Sequence, residues 1–137
     1  KGAPVHGYVC QNKDGEYQMI LTIRGAFADI FWFSLFHEIG HIVNGDVSKS
    51  ASFIDTTSPA DTAKEAAADL FARDALLDPA SYAAFVSGRR FSSGAIKQYA
   101  DAQGVAPFVV VGRLQKEEII PYAWHVNLKP RYKWIDS

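Results

Sequence analysis

Phe31-Trp32-Phe33-Ser34-Leu35-Phe36-His37-Glu38-Ile39-Gly40-His41 is the stretch that decides how this chain is read. A helix advances about 100° per residue, so His37 and His41, four positions apart, stand one above the other on one face. Two imidazoles so placed converge on a single metal ion, and Glu38 beside them can take a proton from water activated there. Phe31, Trp32, Phe33, Leu35, Phe36, Ile39, Ile42 and Val43 cover nearly the whole circumference, which predicts a helix buried at the domain centre. The polar exceptions Ser34, His37, Glu38 and His41 fall on one stripe. Burying that stripe carries a heavy desolvation cost unless a metal or hydrogen-bonding partners satisfy it. Asp29 offers an N-cap and Gly45 a stop, so the helix is expected from Asp29 to Asn44.

Two histidines do not complete a catalytic zinc site, which usually has three protein ligands and an open position. Cys10 is the only cysteine, so neither a thiolate cluster nor an intramolecular disulfide is available. Glu65 is the better candidate, four residues before Asp69 on one face of an Ala-rich helix. Glu65 can then ligate while Asp69 accepts the free ring N–H of a ligating histidine and fixes its tautomer. The same pair also reads as solvated charge on an amphipathic helix. His125 is the rival third ligand; it and His6 stand isolated in expected strands. Tyr122 and His125 are the downstream candidates for donating to a tetrahedral oxyanion.

Outward from this centre the chain divides readily. Gly7-Tyr8-Val9-Cys10 and Tyr17 to Ile23 flank the turn signal Asn12-Lys13-Asp14-Gly15, which predicts a hairpin. Residues 46–57 are polar and read as a loop. Ser58 as cap, Pro59 at the first position and Asp61 reaching back open a second helix that runs to Leu77, where Asp78-Pro79 stops it. Shorter helices are expected at 80–87, 93–103 and 107–117. From Ile119 the tail alternates and holds Tyr122, Trp124, Tyr132 and Trp134, which predicts a strand and an aromatic anchor. Cys10, Trp32, Trp124 and Trp134 read as packing residues. The fold class is α+β, mainly helical, with a small N-terminal sheet and the HExxH helix at its centre.

The 137 residues suit one domain, and 48% hydrophobic against 21% charged residues allow a packed core. Fourteen basic and fifteen acidic residues give a net charge of −1, so no bulk attraction to nucleic acid or anionic membranes follows. No apolar run is long enough to span a bilayer. A lone cysteine fits a reducing cytosol. Because it opens on Lys1 rather than Met, the chain is expected to be a piece of a longer protein.

His-Glu-x-x-His followed by Glu-x-x-x-Asp on a later helix looks like the gluzincin arrangement of thermolysin-type peptidases. More closely, Phe31 to His41 resembles the ImmA/IrrE family of metallo-endopeptidases. So does Glu65-Ala66-Ala67-Ala68-Asp69-Leu70-Phe71-Ala72-Arg73-Asp74 followed by Leu76-Leu77-Asp78-Pro79. Asn127-Leu128-Lys129-Pro130-Arg131-Tyr132-Lys133-Trp134 is similar to members fused behind a helix-turn-helix domain. The likeness covers about residue 20 to the end. It implies a zincin-like fold, one zinc ion on His37, His41 and Glu65, and Glu38 as the catalytic base. It further implies a cytoplasmic endopeptidase, the C-terminal part of a longer regulator. Its partner would be a regulatory protein, often a DNA-binding repressor, in mobile-element, stress or toxin–antitoxin control. Many members have a second acid two positions after the third ligand, where this chain has Ala67.

Two other readings compete. Ile96 to Gln115, broken at Gly104, has helix-turn-helix rhythm, but its second helix offers only Arg113 and Lys116, diluted by Glu117 and Glu118. Helix packing is therefore expected there, with no direct nucleic-acid binding, and Lys129, Arg131 and Lys133 read as the solvated face of an edge strand. The third reading keeps the metal and drops the chemistry: a sensor or partner-binding domain built on a peptidase fold.

Overall fold

The computed structural model describes residues 7–23, 27–47, 59–133 and 135. Asn12 shapes the first turn. Its side-chain oxygen accepts from the backbone N–H groups of Asp14 and Glu16 at 3.0 and 2.9 Å, and Gly15 takes the left-handed conformation (φ 86°) that closes it. Strands β1 (Gly7–Gln11) and β2 (Tyr17–Leu21) therefore pair antiparallel, with Gly7 opposite Leu21 and Gln11 opposite Tyr17. The hairpin packs against helix α1 (Ala28–Val43).

Helix α1 begins one residue before the expected cap. Asp29 lies in its first turn, and Phe27 is the N-cap, without a side-chain bond. The distant tail takes over the capping: the Ala28 N–H donates to the Pro130 carbonyl at 2.9 Å, and Phe27 bridges Arg131. Asp29 turns instead to Lys129 Nζ, 3.2 Å away. At the other end Gly45 (φ 75°) allows a Schellman turn, in which Asp46 N–H reaches the His41 carbonyl and Gly45 N–H the Ile42 carbonyl. The helix is less enclosed than its apolar circumference predicts, since Trp32 and Val43 are exposed.

Helix α2 (Pro59–Leu76) lies close along α1 because the contact is made of small residues. A Cβ on Gly40 would stand 3.2 Å from the Ala68 backbone, and Ala68 and Ala72 are fully buried. Asp78 caps α3 (Pro79–Ser87) through the Ser81 N–H, and Ser92 caps α4 (Ser93–Gln103) through the Ala95 N–H. Gly104 then turns the chain into α5 (Pro107–Lys116). Leu77, Tyr82, Ile96, Ala100, Val110, Val111, Leu114 and Ile120 form the apolar core of this second half. The expected α+β class, with five helices and a two-stranded N-terminal sheet among the described residues, is what the chain adopts.

The tail departs from expectation. Among the described residues no strand follows Ile119; the chain makes turns, one turn of 3-10 helix (Val126–Leu128) and the isolated bridge to Phe27. Buried Gln115 is the cause: its amide donates to the carbonyls of Tyr122 (3.2 Å) and Trp124 (2.9 Å), curling the segment over α5. Trp124 is consequently 51% exposed rather than packed inside. Lys129 is no edge-strand lysine either. Its side chain is only 7% exposed, held by Asp29 and by Gln115 Oε1 at 2.8 Å. Tyr132 does anchor the tail, edge-on to Phe31 and accepting the Trp32 indole N–H at 3.0 Å. Helix α5 packs as the sequence leads one to expect, with Val110, Val111, Leu114 and Gln115 buried and its cations turned onto rings, Arg113 over Tyr82 and Lys116 over Phe33. His6, the Ser58 cap, the Asp61 side chain, Trp134 and most of the 46–57 loop lie outside the described residues. No helix among the described residues is long and apolar enough to cross a membrane.

Candidate metal centre

The close α1–α2 contact brings three side chains together. His37 and His41 each offer Nε2, and Glu65 on α2 offers its carboxylate, so that one atom from each lies within 4.8 Å of the others. The two Nε2 atoms are 3.1 Å apart; Glu65 stands 2.9 Å from His37 Nε2 and 3.1 Å from His41 Nε2. The outer nitrogens are both engaged. His37 Nδ1 meets Asp69 Oδ1 at 2.7 Å, and His41 Nδ1 meets Asp46 Oδ2 at 2.9 Å.

These partners fix what the centre can hold. An ionised carboxylate only accepts, so each Nδ1 carries the proton it donates, and a ring that holds no second proton keeps a lone pair on Nε2. Two lone pairs and a carboxylate then face one another across about one hydrogen-bond length, an arrangement that repels unless a cation lies among them. Two imidazoles and one carboxylate are the donor set that suits zinc. The residues present fit the ion.

Asp46 was not among the residues singled out from the sequence. The signal was there: Gly45 just past the helix end folds the next residue back over the last turn, where His41 lies. Asp46 thus does for His41 what Asp69 does for His37.

The electrostatics follow the packing. Burial pushes the Glu38 carboxyl up from the usual range, the two histidines oppose this, and Glu65 reinforces it. Burial acts to lower His37, but the Asp69 hydrogen bond and the carboxylates of Glu65, Asp69 and Glu38 together raise it. Burial likewise works to raise Asp69, and is outweighed by the His37 hydrogen bond and charge, with help from Lys116 and Arg73. Glu38 itself is only 7% exposed and lies against β1, where a Cβ on Gly7 would stand 2.9 Å from its Cγ.

Tyr122 and His125 are placed elsewhere in the fold. Tyr122 is 65% exposed. His125 sits in a turn, in the left-handed conformation (φ 57°), and its Nε2 pairs with the Phe91 carbonyl at 2.7 Å. It lines a shallow groove with Arg89, Phe91, Ser92, Ile119, Ile120 and Trp124.

Residues 5–97 match the family Peptidase U49, a span well over half the chain that takes in the hairpin, α1, α2 and α3. The chain belongs to the Peptidase U49 family. Every residue of the three-ligand group lies inside the matched span, as do Glu38, Asp46 and Asp69. No curated protein and no solved structure matches the chain. As a peptidase-family domain it carries, on two packed helices, a His-His-Glu group arranged to hold a metal ion.

Proposed function

We propose that this Peptidase U49 domain is a zinc-dependent endopeptidase whose one ion is held by His37, His41 and Glu65, with Glu38 as general base. The observation that carries the reading is the convergence of two Nε2 atoms and a carboxylate, each histidine paired through Nδ1 with its own aspartate. A zinc ion bound there supplies Lewis acidity, acidifying water and polarising a peptide carbonyl. Asp69 and Asp46 hold the two rings in their tautomers and orientations. Glu38, kept basic by burial, takes the proton from the attacking water and returns it to the leaving amine.

The substrate in this reading is a regulatory protein partner of repressor or antitoxin type, met in the cytoplasm by a longer ImmA/IrrE-like regulator of which this chain is the peptidase domain. The resemblance of residues 31–41 and 65–79 to that family supports it. Direct nucleic-acid binding is not part of the reading, since Arg113 and Lys116 are spent on aromatic rings of the chain itself. The burial of Glu38 favours one alternative, a metal-binding sensor or partner-binding domain without proteolysis.

Glu38→Gln separates the two. The amide keeps the shape of the acid but accepts no proton from water. Zinc content should stay at one per chain while hydrolysis of a co-encoded regulator, or of a peptide the native chain cuts, falls about 10²–10⁴-fold. Native rates in Glu38→Gln would exclude the base, and metal uptake by the native chain without cleavage of any regulator would favour the sensor.

A further inference from the structure

We infer that Gly7 is a positioning residue for Glu38: the missing side chain on β1 is the seat into which the base folds. Gly7 does not need to be glycine for its backbone. The glycines with positive φ among the described residues are Gly15, Gly45 and Gly104, while Gly7 lies in an ordinary paired strand opposite Leu21. A glycine inside a strand gives up side-chain packing, and it commonly marks a place where another group approaches closely. Here that group is Glu38. A Cβ built on Gly7 would fall 2.9 Å from Glu38 Cγ and 3.1 Å from its Oε1, nearer than carbon atoms in contact tolerate. The third near atom, Leu21 Cδ2 at 2.9 Å, belongs to the cross-strand partner.

The carboxylate is thus set from two sides. The turn of α1 places it beside His37 and His41, and the bare backbone of β1 fixes how deep it lies. A methyl group at position 7 would push the acid out of that seat, leaving His37, His41 and Glu65 where they are. The inference rests on Glu38 being the base, and the test keeps the two questions apart.

Gly7→Ala should retain one zinc per chain and its melting temperature, and lower kcat at least about tenfold with KM changed less than about twofold. In the metal-free protein the Glu38 side-chain carboxyl carbon resonance should move. In the Glu38→Gln background the same substitution should cost no further activity, because the group it displaces no longer acts. Leu21→Ala added to Gly7→Ala should not restore kcat. If Gly7→Ala does not fold alone, the Leu21→Ala background relieves the second contact and allows the same comparison. Native kcat in Gly7→Ala, an unmoved resonance, equal losses in both backgrounds, or recovery on adding Leu21→Ala would each overturn the inference. An inactive Glu38→Gln beside a fully active Gly7→Ala would sink it alone, whereas an active Glu38→Gln would sink the base assignment with it.

Discussion

Within α3 to α5 the large fully buried side chains are Ile96, Val110, Val111, Leu114 and Gln115, packed with Ala100, Leu77 and Tyr82. On α1 and α2 the buried residues among those described are Ala28, Gly40, Ala68, Ala72, His41 and Glu38. One half is held by large apolar surfaces, whose burial contributes about 1.5–3 kcal/mol per side chain. The other brings two helices together through small residues, and places acids and imidazoles where little apolar area is gained. Close approach is what lets Glu65 on one helix meet His37 and His41 on the other. On the proposed function, the half that carries the His-His-Glu group should therefore depend more on a bound ion than on its packing.

The sharpest break of that contrast is a substitution on the apolar side. Leu114→Ala should cost about 2–5 kcal/mol, with and without metal, because it opens a cavity at the heart of α5. Urea unfolding of both forms measures it, and a cost confined to the zinc form would erase the distinction. Next in size is removal of the ion. At a free-metal level about a hundred times Kd, binding adds about 2.7 kcal/mol, so chelation should lower the melting temperature measurably. Hydrogen exchange should quicken on α1 and α2 far more than on α4 and α5. Uniform quickening would mean the ion braces the whole molecule.

Asp46→Ala should come third. Losing the group that orients His41 costs about 10–100-fold in metal affinity, with the peptide bond still cleaved at saturating zinc. A competition titration with a chromophoric chelator reads this, and unchanged affinity would demote Asp46 to a surface acid.

The smallest effect is the pH response of the metal-free chain. His37 is raised above 6.5, so its contribution to stability is complete below that value and is lost as pH rises through its folded pKa. Asp69 is lowered below 3.8, so its share is present above that value and is lost as pH falls through its folded pKa. The pair therefore supports the metal-free fold most between those limits. Zinc bound as proposed should reverse the alkaline arm, since protons would compete with the ion for Nε2. Thermal melts at pH 5.5 and 8 should move in opposite directions for the two forms.

Local signals were legible wherever the determining contact is short in sequence. The turn at Asn12 to Gly15, the stop at Asp78-Pro79 and the break at Gly104 each act within a few residues, and the helices α3 to α5 fall within a residue of their expected spans. The i, i+4 spacing placed both histidines on one face before any fold was known.

Tertiary structure alone decided the rest. Phe27 caps α1 because Pro130, a hundred residues on, supplies the acceptor; the tail curls because Gln115 takes two of its carbonyls. Spacing can say that Glu65 shares a face with Asp69, but only the Gly40–Ala68 approach sets that face 3 Å from two imidazoles. Nor does any pattern in the hairpin reveal that Gly7 lies over Glu38. Periodicity fixes directions around one element, while the distance between two elements depends on the size of the residues where they touch.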